Sequence, residues 1–594
     1  MNRKRIFAAL AAAMLLFSFA ACTGGGGGGG GSVSSGGDQE ITLTLGSDPR
    51  TLDPALSSSV DGATYLNTVF EGLYSYEESA SGKLVIVPGC AEAVVQPTEI
   101  DDGKFEYVIT LKEGLLWSDG EPMKASDFVY AWNRAANPAT EADYQYIFDV
   151  IDGYDEENPN LNIAADDEAR TITVVTSAYI AYFDQLMAFP TYFPVRKDFV
   201  EADPDGWSLS PETYITNGPF KLAEYSIDDL SLVFVKNDNY WDKDAVKLNK
   251  LTFGLSDQDD ANFAAYEEGT YIMLEPVPVS QLKILKETRL NVDYFIRDYI
   301  GTYFIDFNVN ASLKPGLSTA GTDAAAWEGW THAQNAKTRE ALSLIIDRAY
   351  ITDEVIGAGQ VPANGFIPAG MADGNGKDFR SNAPEWWSVT DVEGNRAKAM
   401  EIFEELGYTQ DDEGKLTNFP TFVYSTNDNS GNIAIAEAIQ SMWKDFGIEA
   451  SIDKMEWGVY QTAMTNGDFT LGRMGWIADY DDPINFLEIF STASGNNHPQ
   501  LGRSGSIGLG SVYGPDADQT WDEYYQTDLY KIKTESDMAA RADALYAAEA
   551  KLMESMPVVP IYFYTRPSLA KPELKGVLFT PLGFTLFKNG YVEK

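Results

Sequence analysis

"FPTFVYSTNDNSGNIAIAEAIQSMWKDFGIEASIDKM", residues 419–455, decides the fold class. An apolar run opens it. Ile435, Ile439, Met442 and Phe446 then recur at the spacing of one helical face, and Gly447 supplies a helix stop. Beyond the stop, Ile448, Ala450 and Ile452 alternate as a half-buried strand does. Strand, helix and strand in that order make a βαβ unit, whose right-handed crossover places both strands parallel in one sheet. The next strand, "DFTLGRM" (468–474), runs into "GWIADYDDP" (475–483). In open α/β sheets ligands gather outside the carboxyl ends of the strands, which is where this second stretch falls.

Working outward, the chain changes texture. Ile41, Leu43 and Leu45 alternate as a strand that Pro49 and Pro54 end. From Lys83 to Asn217 short strands such as "KFEYVITL" and "RTITVVTS" surround one helix, "SDFVYAWNRAANP", with Ser126 placed as its N-cap and Phe128, Trp132 and Ala135 on its apolar side. Strands resume at "LSLVFVKN" and "KLNKLTFGL", followed by an acidic helix over "DQDDANFAAYEEG". Further on, Leu342, Ile345, Ile346 and Ala349 form one helical face, and Ala399, Ile402, Phe403 and Leu406 another that Gly407 ends. With 594 residues, two or three domains are expected. No short-period repeat and no phosphate-cradling glycine loop is evident.

Composition narrows the partners. Asp and Glu number 89 against 43 Lys and Arg, and a net charge of −46 repels phosphate backbones, so no nucleic-acid partner is expected. Aromatic residues make up 13%, and their amphipathic rings suit binding clefts as well as cores. At the N-terminus Arg3, Lys4 and Arg5 precede an apolar run, Ile6 to Phe19, that is too short for an ordinary membrane span. It ends in "FAAC", which resembles the lipobox of bacterial lipoproteins. This implies a signal peptide over 1–22, a lipid on Cys22, and anchoring to the outer face of the cytoplasmic membrane. Residues 23–38, rich in Gly and Ser, read as a flexible tether. The one other cysteine, Cys90, sits in an apolar setting and reads as a small buried residue.

Several stretches together resemble the extracellular solute-binding proteins of peptide and nickel ABC transporters. They are "GCAEAVVQPTEIDDGKFEYVITLKEGLLWSDGEPMKASDFVYAWNRAANP", "NGPFKLAEY", "VKNDNYWDKDAVKLNKLTF", "REALSLIIDRAYITDEVIGAGQVPANGFIP" and "MPVVPIYFY". "GRMGWIADYDDPINFL" looks most like the oligopeptide-binding branch. The resemblance implies an α/β, two-lobed hinged periplasmic-binding-protein fold (type II, cluster C) with an extra inserted domain. Domain I would take 39–82, 218–300 and 563–594, inserted domain II 83–217, and domain III 301–562, with a hinge near 299–305 and 560–564. The implied protein is a monomer that captures oligopeptides by closing, delivers them to a membrane permease, and uses no enzyme chemistry, cofactor or metal.

The resemblance also implies site residues. Asp479 corresponds to the aspartate that holds the peptide α-ammonium, and a carboxylate in a low-dielectric cleft suits that task. Gly475 and Ile477 belong to an edge, 475–479, that pairs with peptide main chain, while Ser58 and Val60 face it from the other lobe. Gly475 would let a backbone approach closely. Arg473 matches an arginine that takes a carboxylate, Trp457 and Trp476 match aromatics lining side-chain pockets, and Tyr144 matches a residue of the inserted domain. "NDNSGN" lacks the histidine that the family places near the peptide carboxylate, so the resemblance assigns nothing to the peptide C-terminus.

Other readings stay open at this point. Asp479 could be a turn aspartate, Trp457 and Trp476 core residues, and Arg473 an ion-pair partner of Asp479 or Asp481. Asp481 and Asp482 are assigned only to the turn before Pro483. A calcium loop lacks its glycine and late glutamate here. Dipeptide, nickel, heme or opine-like ligands remain within the family, although His332 and His498 are few for nickel. A secreted glycoside hydrolase would use the same carboxylates and aromatics.

Overall fold

Among the described residues an eleven-stranded mixed sheet organises the chain. The computed structural model describes residues 39–593 apart from 46–48, 50, 101–102, 227–229, 257 and 504–519. The signal peptide, Cys22 and the tether lie outside the described residues. The strands are β1 (Glu40–Thr44), β2 (Phe220–Ser226), β3 (Ser231–Lys236), β4 (Lys250–Gly254), β5 (Met273–Leu274), β6 (Tyr294–Phe307), β7 (Val361–Pro362), β8 (Phe422–Asn427), β9 (Ala450–Met455), β10 (Leu471–Ile477) and β11 (Val558–Ala570). Their order is β9-β8-β10-β6-β11-β5-β1-β4-β3-β2, with β7 on β11.

At one end β8 and β9 run parallel, joined by the expected helix, and β10 is parallel to β8 on its other side. At the other end β1 is parallel to β4 and β5, and β2, β3 and β4 form a meander. The two ends meet through β6 and β11, antiparallel strands of 14 and 13 residues. Their ladder is broken midway: Asp298 faces Thr565, but the next pair is Thr302 and Phe563. Tyr299, Ile300 and Gly301 thus stand outside the register, and such irregularity adds local bend to a strand pair.

Five helices matter below: α1 (Val60–Val69), α2 (Ala125–Ala136), which packs on a smaller sheet, α3 (Ser430–Lys444), α4 (Trp457–Asn466) and α5 (Ile484–Glu488). In α3, Ile435, Ile439 and Met442 are buried, and Trp443 is fully buried with its indole N–H donated to Leu342 O at 3.0 Å. A separate four-stranded antiparallel sheet lies within residues 98–176, and a hairpin pairs Tyr74–Glu78 with Leu84–Pro88.

Two local expectations are corrected. Helix α2 starts after Lys124, not at Ser126, whose N–H and hydroxyl both turn to Asp167, at 2.9 and 2.8 Å. Asp127 satisfies the helix end instead by accepting the Lys124 N–H at 2.9 Å. The helical face from Leu342 to Ala349 breaks after Ile345, because Asp347 caps a new turn through the Tyr350 N–H. Cys90 is buried as expected, beside the Asn217 amide at 3.3 Å.

Candidate functional site

A cavity of about 460 Å³ lies between the two ends of the large sheet and the segment carrying Tyr144. Asp479, Arg473, Trp476, Trp457, Gly475, Ile477, Ser58, Val60 and Tyr144 all line it. The structure therefore brings together residues drawn from positions 58 to 479.

The geometry starts at β10. Strand β6 pairs with it along Leu471–Ile477, whereas β8 pairs only at Leu471 and Gly472. Among the described residues no strand covers the other edge from Arg473 to Ile477; the Arg473 carbonyl there accepts the Tyr460 hydroxyl at 2.5 Å, and Gly475 and Ile477 line the cavity. The Cβ direction of Gly475 is taken by the Tyr564 ring, 3.2 Å from where a side chain would begin. The close approach that this glycine permits is thus made by Tyr564.

Just past β10, Asp479 is buried, and each oxygen accepts one hydrogen bond at 3.0 Å: Oδ1 from the Tyr144 hydroxyl and Oδ2 from Asn485 Nδ2. Burial outweighs these two bonds and pushes the Asp479 carboxyl up to about 7. A carboxylate has about four lone-pair sites, so each oxygen keeps capacity for another donor. No cationic side chain pairs with Asp479 among the described residues. It is a desolvated acid, held in position by two hydrogen bonds but without a counter-charge among the described residues.

Asn485 was missed by the sequence reading. Fully buried in the first turns of α5, it takes both the Trp476 indole N–H, at 2.9 Å, and the Asp479 backbone N–H, at 3.0 Å, on one oxygen. One amide therefore fixes the aromatic wall and the acid together. Its spacing of six residues from Asp479 matches no local motif, so no sequence pattern exposes it.

Arg473 is not an ion-pair partner of Asp479 or Asp481. Its Nε donates to Asn427 Oδ1 at 2.9 Å, and its guanidinium lies over the Trp457 ring at 5.3 Å. Trp457 is half-buried at the start of α4, and Trp476 is buried near Tyr144, with ring centroids 6.2 Å apart. Asp482 has a structural task beyond its turn: it pairs with buried Arg541 at 2.9 Å and caps the Ile484 N–H. The Asp481 N–H is donated to Gln185 at 2.8 Å.

From the other side, the segment before α1 is held by Asp53, buried and bound by Arg134 at 2.9 and 2.5 Å and by the Trp207 indole at 3.1 Å. This sets Ser58, whose hydroxyl donates to Asp143 at 2.8 Å, and Val60 at the first turn of α1. Among the described residues no group of three or more His, Cys, Asp or Glu is arranged to hold a metal ion.

A bent strand pair between the two ends of the sheet, with a ligand-sized cleft lined by aromatics, a buried acid without a counter-charge and a strand edge that no other strand covers, fits a solute-binding protein of the two-lobed periplasmic class. The chain belongs to the family described as bacterial extracellular solute-binding proteins, family 5, whose middle region matches residues 85–498. The oligopeptide-binding protein OppA of Bacillus subtilis is 29% identical over 568 residues, covering 93% of each chain. Haemophilus influenzae OppA in complex with the peptide RPPGFSPFR has a similar structure, at 26% identity, a TM-score of 0.76, and coverage of 94% of this chain and 99% of that one. The murein tripeptide-binding protein MppA of Escherichia coli gives 27% identity and a TM-score of 0.77, covering 94% and 99%. Against the unliganded open form of MppA the score falls to 0.59, with coverage of 93% and 97%.

Proposed function

We propose that this protein captures oligopeptides outside the cell and hands them to the permease of an ABC importer, without chemistry on the peptide. The observation that carries this reading is the pairing of an open β10 edge with Asp479 in one cavity. A free ammonium and a main chain are what all peptides share, so a binder that spends its contacts there tolerates varied side chains. Arg473, Trp457 and Trp476 then line places for side chains, and Ser58 and Val60 flank the peptide from α1. The relatives named above as oligopeptide- and tripeptide-binding proteins support the same ligand class.

In this account residues 39–82, 218–300 and 563–594 move as one lobe with the insertion 83–217, and 301–562 as the other. The hinge is the register break of β6 and β11 around Tyr299 and Tyr564. The poorer fit to an unliganded open form supports a closed arrangement of the lobes. Contacts between segments assigned to different lobes agree with it: Tyr144 to Asp479, Ser430 Oγ to Asp259 at 2.8 Å, and Lys533 to Asp149 at 2.6 Å. A lipid on Cys22 and the tether 23–38 would keep a monomer at the outer face of the cytoplasmic membrane, within reach of the permease.

Native mass spectrometry of purified protein tests the ligand class. Retained or added peptides should appear as discrete adducts that unlabelled sugars or nickel do not displace. Turnover of a glycan, or nickel binding that excludes peptide, would overturn the proposal.

A further inference from the structure

Beyond the residues already discussed, the cavity has a second polar floor. It is built from residues of α4 and β6 that line the cavity together. Trp457, Gln461 and Thr465, spaced four apart along one face of α4, all line the cavity. Asp306 of β6, 1% exposed, lines the same cavity. Its cross-strand neighbour is Gly472, and the room left by the missing side chain there is filled by Tyr460 and Met464 of α4.

The chemistry of this floor is one-sided. Neither oxygen of Asp306 has a hydrogen-bond donor, and the buried Gln461 Oε1 has none. His498 Nδ1 stands 3.6 Å from Asp306 Oδ2, too far for a good hydrogen bond, and addresses only one of the three acceptors. Buried acceptors left unmet are rare because each forfeits its hydration. Arg473, the nearest cation along β10, is engaged with Asn427 and Trp457 instead. Burial raises the Asp306 carboxyl above its usual range, and the nearby His498 offsets only part of that shift.

We propose that Asp306 and Gln461 form a subsite for a cationic side chain of the bound peptide, arginine before lysine. Three acceptors in one floor match the planar fork of a guanidinium, whereas an ammonium presents a compact point charge. A long side chain is required, because Asp306 and Gln461 are both deeply buried in the cavity wall. The subsite belongs to an interior residue of the peptide and not to residue 1, because Asp479 holds the N-terminus at the far end of β10. This inference rests on the peptide reading of the cavity.

Calorimetry with free-amine tetra-alanine peptides, each carrying one arginine or its neutral isostere citrulline, tests it. At one interior position arginine should bind roughly tenfold tighter than citrulline, the size expected of hydrogen bonds to a charged group. In Asp306→Asn that ratio should fall to near one, and Gln461→Met should reduce it. A ratio near one at every position in the unaltered protein overturns the subsite, as does a ratio kept in Asp306→Asn. An equal arginine preference at all positions also overturns it, since the acidic field of the whole molecule would then suffice. Failure of every peptide to bind would instead remove the peptide reading on which the subsite stands.

Discussion

At the residue scale the account turns on Asp479. Its carboxyl titrates near 7 because burial is only partly offset by Tyr144 and Asn485. Below that pH it carries a proton and loses its attraction for an ammonium; above about 8 a peptide α-amine begins to lose its own proton. Peptide affinity should therefore peak near pH 7 to 8 and weaken on both sides, with up to about tenfold per unit on the acid limb. Replacing the acid by its isostere, Asp479→Asn, should weaken peptide binding on the order of 100-fold and flatten the acid limb. The melting temperature of the empty protein should stay level or rise, because a buried charge without a partner is removed. A variant that melts much earlier would show Asp479 to be a structural turn residue. Asn485 belongs to the same scale: Asn485→Leu leaves the Trp476 and Asp479 N–H groups unpaired and should destabilise by about 2 kcal/mol or more in thermal denaturation.

At the element scale, the order and type of the β8–α3–β9 unit were legible from local periodicity, but its edges were not: α3 ends at Lys444, before Phe446, β9 begins at Ala450, after Ile448, and Trp443, off the expected face, is fully buried. So was the arrival of β10 at the cleft, which places Asp479, Trp476 and Arg473 on one short stretch. What lay beyond reading was fixed by contacts distant in sequence. Tyr144 meets Asp479 across 335 positions, and Ser126 yields its capping role to Asp167, 41 residues on. Asp306 left a faint signal, an acid inside the apolar strand "YFIDF", where charged residues seldom sit without purpose. The α3 contact gives a stability test: Trp443→Ala removes a fully buried indole and its bond to Leu342, and should cost about 3–5 kcal/mol by chemical denaturation. On β10, Gly475→Val would drive a side chain into the Tyr564 ring and disturb the open edge; peptide affinity should fall even where the fold survives.

At the scale of the whole molecule, the proposed closure would link the two lobes through groups outside the peptide cavity. Lys533, buried, reaches Asp149 of the insertion and Glu488, at 2.6 and 2.9 Å. Asp149→Asn should weaken the closed form and raise peptide dissociation constants several-fold, since a conformation that is less populated lowers apparent affinity. Small-angle X-ray scattering should show the empty protein more extended than its peptide complex; equal radii of gyration would count against closure. The domain boundaries could be placed along the sequence only by resemblance, because β6 and β11 run through the sheet without a linker to mark the crossing.

The most direct measurement compares one tetrapeptide with a free amine and the same peptide N-acetylated, by titration calorimetry near pH 7.5. Acetylation removes the ammonium and leaves the main chain and side chains intact. The account predicts a loss of affinity on the order of 100-fold, largely abolished in Asp479→Asn, where both forms should bind weakly and alike. Equal binding of the two forms by the unaltered protein would contradict it.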